Sequence, residues 1–577
     1  YMNKLTFFAL LIIVSILLAS CSVVSIDAAK FYMGRLPAPE EETVLKKPYE
    51  KGSLSVGKFF YAGGINPRRK EYSKENIAVS TSVLDISKLV DKIDSGYWGY
   101  DCSSVPLNGI VWYPKESGTY PLVLCIHGNH PAQEFSEGGY DYLGEHLASL
   151  GFIFVSVDEN FLNGSIGNEN DARAYVLLHH AKTILGWNND PSNPLYGKLD
   201  TQNIGIIGHS RGGEAVVHAV NFNKLSRYPD NGTLEFDFNL PIKAVVSIAP
   251  IEGQYRPSMK TISTSGTNYL VIHGSQDGDV FFFAGTRLYN SVKLSGTLMK
   301  SSFWIYGANH AQFNSIWAEK QDPFPSLRSS LLSAQQQQKT AKTLITSFLL
   351  YSFGIEEGYR DFFKNPRAYH EWMADTFYNN SFACGNEGIL ADFDEDIELT
   401  SAGLKNWESS AKYFDNWSES KIWLISGDQN NWGTYLKWDT ASKVSPIPSY
   451  ELFSKNSSIK SDGLAFDIFV YNAEDTASAT ALKSENTSLT MLDFSIRLTT
   501  CDGNQQAFSL REFIDIGKTP AVTVLNVRKD IRTVLQSVYI KFEENTDIQK
   551  IEFIFDKTKK GDILIDNIRY IEGGKSK

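Results

Sequence analysis

The residues with the clearest chemical potential form one short turn, Gly-His-Ser-Arg-Gly-Gly at 208–213. The turn follows an apolar run at 204–207 that predicts a strand, and a helical pattern opens directly after it. So tight a strand-to-helix turn strains the backbone of Ser210, and only glycine-sized neighbours such as Gly208 and Gly212 fit beside it. The helix N-terminus also directs N–H groups to the place where a substrate oxygen gains negative charge. The turn therefore predicts that Ser210 is a nucleophile for acyl transfer.

The elements that must position this serine are predicted by apolar runs between about 104 and 370. These runs alternate with helical patterns, which is typical of a mostly parallel sheet flanked by helices, an α/β fold. The predicted strands occupy 122–126, 152–157, 204–207, 244–249, 269–272 and 303–306, and the predicted helices occupy 142–150, 172–185, 214–220 and 333–353. The four glutamines at 335–338 are predicted to lie on a solvated face of the last helix.

In this setting the 208–213 turn resembles the nucleophile turn of the α/β-hydrolase superfamily. The resemblance implies a chain order of nucleophile, acid and histidine, each placed after a strand. The segment 273–280 then looks like the family's acid loop, in which Asp277 holds the position of the acid. The segment 307–313 looks like the family's histidine loop, in which His310 holds the position of the base.

The resemblance also implies the role of each side chain. Ser210 would attack the ester carbonyl, and His310 would take its proton and return it to the leaving alcohol. Asp277 would orient the imidazole and stabilise the imidazolium. The sequence leaves two other acids open, Asp279 two residues further on and Glu252 after the preceding strand.

An oxyanion hole requires two N–H donors beside the serine. The resemblance implies the backbone N–H groups of Arg211, directly after the nucleophile, and of Asn129 in the loop 127–131. Serine followed by arginine also resembles glucuronoyl esterases, in which the arginine side chain supports the oxyanion or a carboxylate-bearing substrate. A glucuronate ester therefore stays open as an alternative substrate.

Neither a metal nor a cofactor is predicted for the catalytic chemistry. The histidines at 127, 130, 209 and 218 do not provide two ligands at i and i+4 on one helix with a third in view. Cys102, Cys125, Cys384 and Cys501 lack any C-x-x-C spacing, so a zinc site is not indicated. A disulfide between Cys384 and Cys501 is left open.

The N-terminus predicts export. A nearly unbroken apolar run at 5–18 follows Lys4, and Leu-Ala-Ser-Cys occupies 18–21. This end resembles the lipobox of bacterial lipoproteins, which implies cleavage before Cys21 and attachment of diacylglycerol to its thiol. The expected location is the bacterial cell envelope, with the membrane as a partner through the lipid. A plain signal peptide or an uncleaved anchor helix is the alternative.

Four segments are expected along the chain: a lipoprotein signal peptide at 1–21, a tether with peripheral structure at 22–95, the catalytic domain at 96–380 and an all-β domain at 384–577. In the last segment many short apolar runs are separated by Asn, Asp, Gly and Ser, which predicts a β-sandwich.

The ends of this sandwich, 388–394 and 563–570, resemble galactose-binding-like jelly rolls, the shape of many carbohydrate-binding modules. The resemblance implies a glycan partner and a structural calcium, for which Asp394 and Asp566 are candidate ligands. Five tryptophans between 407 and 438 could stack on sugar rings where exposed, although core packing is the expected use for most of them.

Charge and motifs together limit the function. Lys and Arg number 55 against 66 Asp and Glu, a net charge of −11, and no long basic run is present, so nucleic acid is not expected as a partner. The segments 111–114, 120–121 and 146–151 resemble the group of platelet-activating-factor acetylhydrolases, chlorophyllases and dienelactone hydrolases. This implies a carboxylic ester hydrolase acting on a small or polymeric ester. The alternatives are a glycan-binding lipoprotein with a hydrolase scaffold, or a peptidase or thioesterase.

Overall fold

The computed structural model describes residues 45–64, 66–164, 166–318, 331–424, 427–441, 446–474, 491–519, 522–524, 528–530 and 534–572. The predicted signal peptide at 1–21 and its lipobox residue Cys21 lie outside these residues, so both stay predictions. Within the part of the chain that is described, none of the helices has the length and apolar character needed to cross a membrane.

A ten-stranded sheet forms the centre of the first half of the molecule. Its strands are β1 (Val56–Gly63), β2 (Ile77–Thr81), β3 (Asn108–Pro114), β4 (Tyr120–Ile126), β5 (Ile153–Asp158), β6 (Leu199–His209), β7 (Ile242–Ile248), β8 (Asn268–Gly274), β9 (Met299–Ile305) and β10 (Tyr378–Cys384). They lie in the order β10-β9-β8-β7-β6-β4-β5-β3-β1-β2. The six strands β4 to β9 are parallel, whereas β3 and β10 run antiparallel to their neighbours β5 and β9.

The six predicted strands coincide with β4 to β9, and the mostly parallel α/β fold is confirmed. These strands could be predicted because helices cover both faces of a parallel sheet, so the central residues of its strands are mostly apolar. Two hydrophobic clusters fill these faces, one between the sheet and α3 and α4, the other between the sheet and α2 and α7. The helices are α1 (Ser95–Trp98), α2 (Asp141–Ser149), α3 (Asn170–Gly186), α4 (Arg211–Phe222), α5 (Gly285–Ser291), α6 (Ser315–Ala318), α7 (Ala334–Ser352) and α8 (Tyr359–Lys364).

The sheet begins earlier than the expected domain boundary at 96, because β1 and β2 belong to the segment predicted as tether and peripheral structure. Arg69 fixes this segment to the sheet. Its guanidinium is fully buried, donates to Asp158 at 2.9 Å and also bonds Glu137, which accepts the hydroxyl of Tyr72 at 3.0 Å. The described part of this segment, from residue 45, is therefore packed onto the catalytic fold.

The C-terminal half forms a second large sheet from ten main strands. They are β11 (Glu387–Ala391), β12 (Glu408–Lys412), β13 (Asn416–Leu424), β14 (Gly427–Asp439), β15 (Ser449–Phe453), β16 (Ile459–Glu474), β17 (Ser495–Thr500), β18 (Gln505–Ser509), β19 (Gln536–Ile554) and β20 (Lys560–Ile571). The main path is β12-β15-β19-β16-β20-β14-β13, with β11 paired to β20, β17 to β19 and β18 to β17. The pairing of β11 with β20 brings the two ends of the region together.

The runs at 538–542 and 551–555, predicted as separate strands, are two parts of the single long strand β19. Its first part pairs with β16 and its second part with β15 and β17. One strand thus serves both layers, and the region is a sandwich that is nearly closed into a barrel. An open sheet edge exposes unpaired backbone groups that can pair with strands of other molecules. The near closure of this sheet leaves fewer such groups exposed.

The two sheets meet at β10, the edge strand of the first sheet. The Asn379 side chain donates to the carbonyl of Val534 at 3.0 Å, and the N–H of Phe382 donates to the Ser537 hydroxyl at 2.8 Å. The second sheet therefore covers an edge that would otherwise expose unpaired backbone groups. Cys384 at the end of β10 and the exposed Cys501 are both free, so the disulfide left open by the sequence is not formed.

Candidate active site

Ser210 is the single residue between the end of β6 and the start of α4. Its φ and ψ are +58° and −120°, which is strained for a residue with a side chain. The N–H of Ser210 donates to the carbonyl of Ile248 at 2.9 Å, and the Ser210 carbonyl accepts the N–H of Gly213 at 2.9 Å. These bonds hold the strained turn at the C-terminal edge of the parallel strands.

Gly208 and Gly212, the two glycines predicted beside the serine, are required because no side chain fits at either position. A Cβ atom at Gly208 would collide with the carbonyl of Gly212, and one at Gly212 would lie 2.7 Å from the carbonyl oxygen of His127. The strand and the helix can approach this closely only without side chains, which accounts for the glycines at both positions.

The loop after β8 holds Asp277 almost completely buried. One carboxylate oxygen accepts the N–H groups of Asp279 at 2.9 Å and Val280 at 2.6 Å, and the other accepts His310 Nδ1 at 2.9 Å. Burial alone would raise the pKa of Asp277, but the charge and hydrogen bond of His310 outweigh it and the pKa lies below its usual value. Asp277 is therefore a charged, oriented partner for the imidazole.

The acid loop and the histidine loop are bonded to each other. The N–H of Ser275 donates to the carbonyl of Ile305 at 2.9 Å, and that of Gln276 donates to the carbonyl of Ala308 at 2.8 Å. The Ser275 hydroxyl in turn accepts the N–H of Gly307 at 2.8 Å. The distance between Asp277 and His310 is thus fixed by the backbone as well as by their own bond.

Gln337 on α7 forms hydrogen bonds with the backbone of the histidine loop. The prediction of a solvated glutamine face at 335–338 is wrong for this residue, which is fully buried. Its Nε2 donates to the carbonyl of Asn309 at 2.8 Å, and its Oε1 accepts the N–H of Asn309 at 3.0 Å. A glutamine amide can pair with both groups of a peptide, so Gln337 positions the backbone next to His310. The missed signal is that the helical spacing of α7 places one member of the run on the buried face.

Trp317 on the short helix α6 also contacts this centre. Its ring lies parallel to that of His310, at 4° and 6.3 Å between centroids, and parallel to that of His130, at 10° and 5.1 Å. The indole N–H donates to the hydroxyl of Ser136 at 3.0 Å. Sequence reasoning missed this residue because α6 lies outside every motif.

The two alternative acids occupy different places. Asp279 Oδ2 lies 3.6 Å from His310 Nε2, and 57% of its side chain is exposed. Glu252 is paired with Arg287 at 3.2 Å and with Arg256 at 3.5 Å. Asp277 alone among these three carboxylates accepts a hydrogen bond from Nδ1, the nitrogen that an orienting acid must hold.

Asp279 gives a prediction about pH dependence. A carboxylate beside Nε2 favours the imidazolium, so Asp279→Asn should move the acidic limb of kcat/KM to lower pH, by about half a pH unit for an exposed charge at this distance. The measurement is a pH–rate profile of ester turnover at fixed ionic strength.

Raising the salt concentration supplies the control, since screening should shrink the difference between the two profiles. A limb that stays in place in Asp279→Asn at low salt would contradict an electrostatic effect of this side chain.

The predicted oxyanion loop lies directly against the serine. A Cβ at Gly128 would lie 3.0 Å from Ser210 Oγ, so a side chain there would obstruct the Ser210 hydroxyl. The side chain of Asn129 accepts the N–H of Gly164 at 2.9 Å, which ties this loop to the segment after β5. The predicted donor is the backbone N–H of Asn129, whose role stays a prediction.

The side chain of Arg211 is engaged by a buried carboxylate. Its Nη1 donates to both oxygens of Glu169 at 2.8 Å and to the carbonyl of Ile166 at 2.7 Å. Glu169 also pairs with the buried Arg173 at 3.1 Å. This pairing weakens the case for a glucuronate substrate, because the charge of Arg211 already has a partner. Glu169 was missed because nothing in its local sequence marks it.

Among the described residues, His127, Glu137 and Asp158 come close enough together to be considered as metal ligands. Arg69 binds both carboxylates, and His127 Nε2 accepts the N–H of Glu159 at 3.1 Å. A guanidinium and an N–H donor already satisfy these groups, so the cluster does not fit a metal ion.

The predicted calcium ligands in the C-terminal region are engaged by N–H donors. Asp566 is buried and accepts the side-chain amides of Asn431 at 2.6 Å and Asn567 at 2.7 Å. Asp394 accepts the N–H of Trp432 at 3.0 Å. These hydrogen bonds engage one oxygen of Asp394 and the Oδ2 atom of Asp566, and the structural calcium stays a prediction.

Of the tryptophans considered for sugar stacking, Trp407 and Trp438 are buried in the core of the sandwich. Trp423 near the end of β13 is 60% exposed. Core packing thus accounts for the first two, and Trp423 is the one whose ring is mostly open to solvent.

Comparisons with known proteins agree with this geometry. A family model described as Chlorophyllase matches residues 83–265, which contain the Ser210 turn. Cutinase 1 of Thermobifida cellulosilytica is 26% identical over 253 residues, which cover 43% of this chain and 78% of that protein. Cutinase 2 of the same organism is 29% identical over 105 residues, 18% of this chain and 36% of that protein. A bis(hydroxyethyl) terephthalate hydrolase of Streptomyces coelicolor is 24% identical over 200 residues, 34% of this chain and 52% of that protein.

The chain thus spans about a third of the length of the first cutinases that it matches. Together with the sheet order and the turn at Ser210, these similarities support an α/β-hydrolase domain of the serine esterase type, joined to a sheet-rich C-terminal region. The Chlorophyllase match also agrees with the resemblance expected from the sequence.

Proposed function

We propose that this protein is a serine esterase that cleaves carboxylic esters through an acyl-enzyme. In this mechanism Ser210 Oγ attacks the ester carbonyl while His310 accepts its proton, and the backbone N–H groups of Arg211 and Asn129 stabilise the oxyanion. His310 then protonates the leaving alcohol. Water repeats the sequence on the acyl-enzyme and releases the carboxylic acid.

The observation that carries this proposal is the 2.9 Å bond between His310 Nδ1 and the buried Asp277. A charged carboxylate on Nδ1 leaves Nε2 as the nitrogen that can accept a proton from a serine. The strained turn at Ser210 lies at the same edge of the sheet, where its φ of +58° presents the side chain above the strands. The relatives named as cutinases and as a terephthalate ester hydrolase support an ester rather than an amide as the substrate class.

The proposal is tested with 4-nitrophenyl acetate and bis(2-hydroxyethyl) terephthalate as substrates for the full chain. We expect turnover of the activated acetate with an early burst of nitrophenol, because an acyl-enzyme forms before water releases it. Thermally unfolded protein is the control. A folded protein that releases neither product faster than this control would rule the proposal out.

We further propose that the protein is exported and anchored to the cell envelope by a lipid on Cys21, on the strength of the lipobox-like sequence at 18–21. Wild-type protein should then enter the detergent phase of Triton X-114 extracts of expressing bacteria, and Cys21→Ser protein should not. Equal partition of both proteins would exclude the anchor.

The C-terminal region is proposed to hold the enzyme on a glycan, with the exposed ring of Trp423 as the support for this idea. Retention of the full chain on insoluble polysaccharide should weaken in Trp423→Ala, whereas Trp438→Phe in the core should leave retention unchanged. Unchanged retention of Trp423→Ala would count against this surface.

A further inference from the structure

A partly open cavity of about 760 Å³ is lined by residues that contact the side chains of Asn129 and Arg211. We name it the oxyanion-side cavity, and its walls are residues 89–94 with Trp98, residues 131–133, and Phe161 with 163–164 and 166–169. Small-molecule sites in proteins usually measure about 300–1,000 Å³, so a substrate group of substantial size fits inside.

Hydrogen bonds join residues in the wall of this cavity to both residues that the mechanism uses as oxyanion donors. Gly164 on its wall donates its N–H to the Asn129 side chain, and residues 131–133 include the last residue of the oxyanion loop and the two that follow it. On the other side, Ile166 and Glu169 hold the side chain of Arg211, the residue after the nucleophile. Through these two side chains the cavity wall is joined to the residues whose backbone N–H groups would bind the carbonyl oxygen.

The order of the strands shows on which side of the serine the cavity lies. Its walls include the loops after β4 and β5, which are the first and second strands to one side of β6. The acid and histidine loops follow β8 and β9, on the other side of β6. None of the residues that line the cavity belongs to those two loops.

From this arrangement, and on the basis of the proposed function, we infer that the oxyanion-side cavity receives the acyl group of the ester. The alcohol must leave toward His310, because this residue protonates it. The carbon chain on the other side of the carbonyl therefore points away from the histidine, toward β4 and β5.

The lining defines the class of acyl group. The inner wall contains the side chains of Val90, Ile93, Trp98 and Phe161, while polar atoms make up most of the accessible lining, so the size of the cavity favours an acyl group larger than acetyl that can carry polar atoms. The rim carries Asp91, Lys92 and Asp94, which are exposed and give a surplus of one negative charge. The carboxylate of Glu169 is neutralised by Arg211 and Arg173. The acyl group is therefore uncharged, since a free carboxylate would meet repulsion at the rim.

Most of the segment that closes this cavity lies outside the predicted catalytic domain, and its last member, Trp98, lies just inside the expected boundary at 96. Residues 89–94 belong to the N-terminal segment, and Trp98 belongs to α1. This explains why no substrate pocket could be predicted from the motifs. We therefore expect this segment to help select the acyl group in the proposed reaction.

The test compares two substrate series. In the acyl series the alcohol is constant, 4-nitrophenyl benzoate against 4-nitrophenyl acetate, and in the alcohol series the acyl group is constant, 2-naphthyl acetate against phenyl acetate. Ala132→Trp should fill the cavity and lower the benzoate-to-acetate ratio of kcat/KM at least tenfold, with little change in the ratio of the alcohol series.

A second variant tests the cavity independently, in case Ala132→Trp does not fold. A side-chain carbon at Gly167 meets no atom within 4 Å, so Gly167→Phe can be accommodated and should lower the same ratio. Ala78→Trp on the exposed edge strand β2 is the matched control and should leave both ratios as in the wild type.

Unchanged acyl ratios in both cavity variants, or a change confined to the alcohol series, would overturn the assignment of the cavity while ester hydrolysis itself stands. If the wild type hydrolyses none of the four esters, the proposed function fails first, and the assignment fails with it.

Discussion

Ser210→Ala should lower kcat/KM for 4-nitrophenyl acetate by about 10⁴-fold or more, the size of effect expected when the nucleophile of such a site is removed. His310→Ala should cause a loss of similar size. Because the two side chains act as one unit in the proposed mechanism, the double variant should lose little more than either single variant. The measurement is steady-state kinetics on proteins with matched melting temperatures.

A serine far from the site provides the control for this change. Ser192 lies in an exposed turn after α3, and Ser192→Ala should retain wild-type turnover. Additive losses in the double variant, or turnover that survives in folded Ser210→Ala, would mean that the side chains of Ser210 and His310 do not share one reaction step.

Asp277→Asn is the second change with a large expected effect, a loss in kcat of about 10³–10⁴-fold. The Asn side chain keeps the size of the aspartate, and its oxygen can still accept the N–H groups of Asp279 and Val280. Its amide nitrogen would then face His310 Nδ1 and donate to it. The imidazole would be driven into the tautomer with the proton on Nε2, which cannot accept a proton from Ser210.

The pH dependence separates this effect from a loss of stability. The pKa of Asp277 lies below its usual value, so in the wild type the carboxylate stays charged throughout the range in which an imidazole titrates. The loss in Asp277→Asn should therefore persist at neutral and alkaline pH. Asp279→Asn is the matched control, because the same chemical change two residues away should leave the maximal kcat within about threefold of wild type. An equal loss in both variants would contradict the assignment of Asp277.

The sequence predicted the parallel centre of the first sheet well because each of the strands β4 to β9 has a buried central part that is mostly apolar. It did not predict β1, where buried positions are interrupted by exposed or half-buried ones, or the edge strand β2, where half-buried and exposed positions alternate. Nor could it show that the 538–542 and 551–555 runs form one strand, since the residues between them are mostly polar and the strand continues by pairing with other segments.

For the candidate site, Ser210, Asp277 and His310 could be proposed because each follows an apolar strand in a short loop with recognisable glycines. The structure supports Asp277 over its two rivals through a single hydrogen bond that no pattern could show. Gln337 and Glu169 could not be found in this way. Both act through long-range contacts, one with the backbone of Asn309 and the other with the side chain of Arg211.

The central claim is that Ser210 is an activated nucleophile beside His310. The most direct measurement is reaction of the folded protein with a fluorophosphonate, followed by mass spectrometry of the whole chain and its peptides. We predict a single modification, located on Ser210, that is lost in Ser210→Ala and strongly slowed in Asp277→Asn. A folded wild-type protein that takes up no label, or carries it on another serine, would contradict this account.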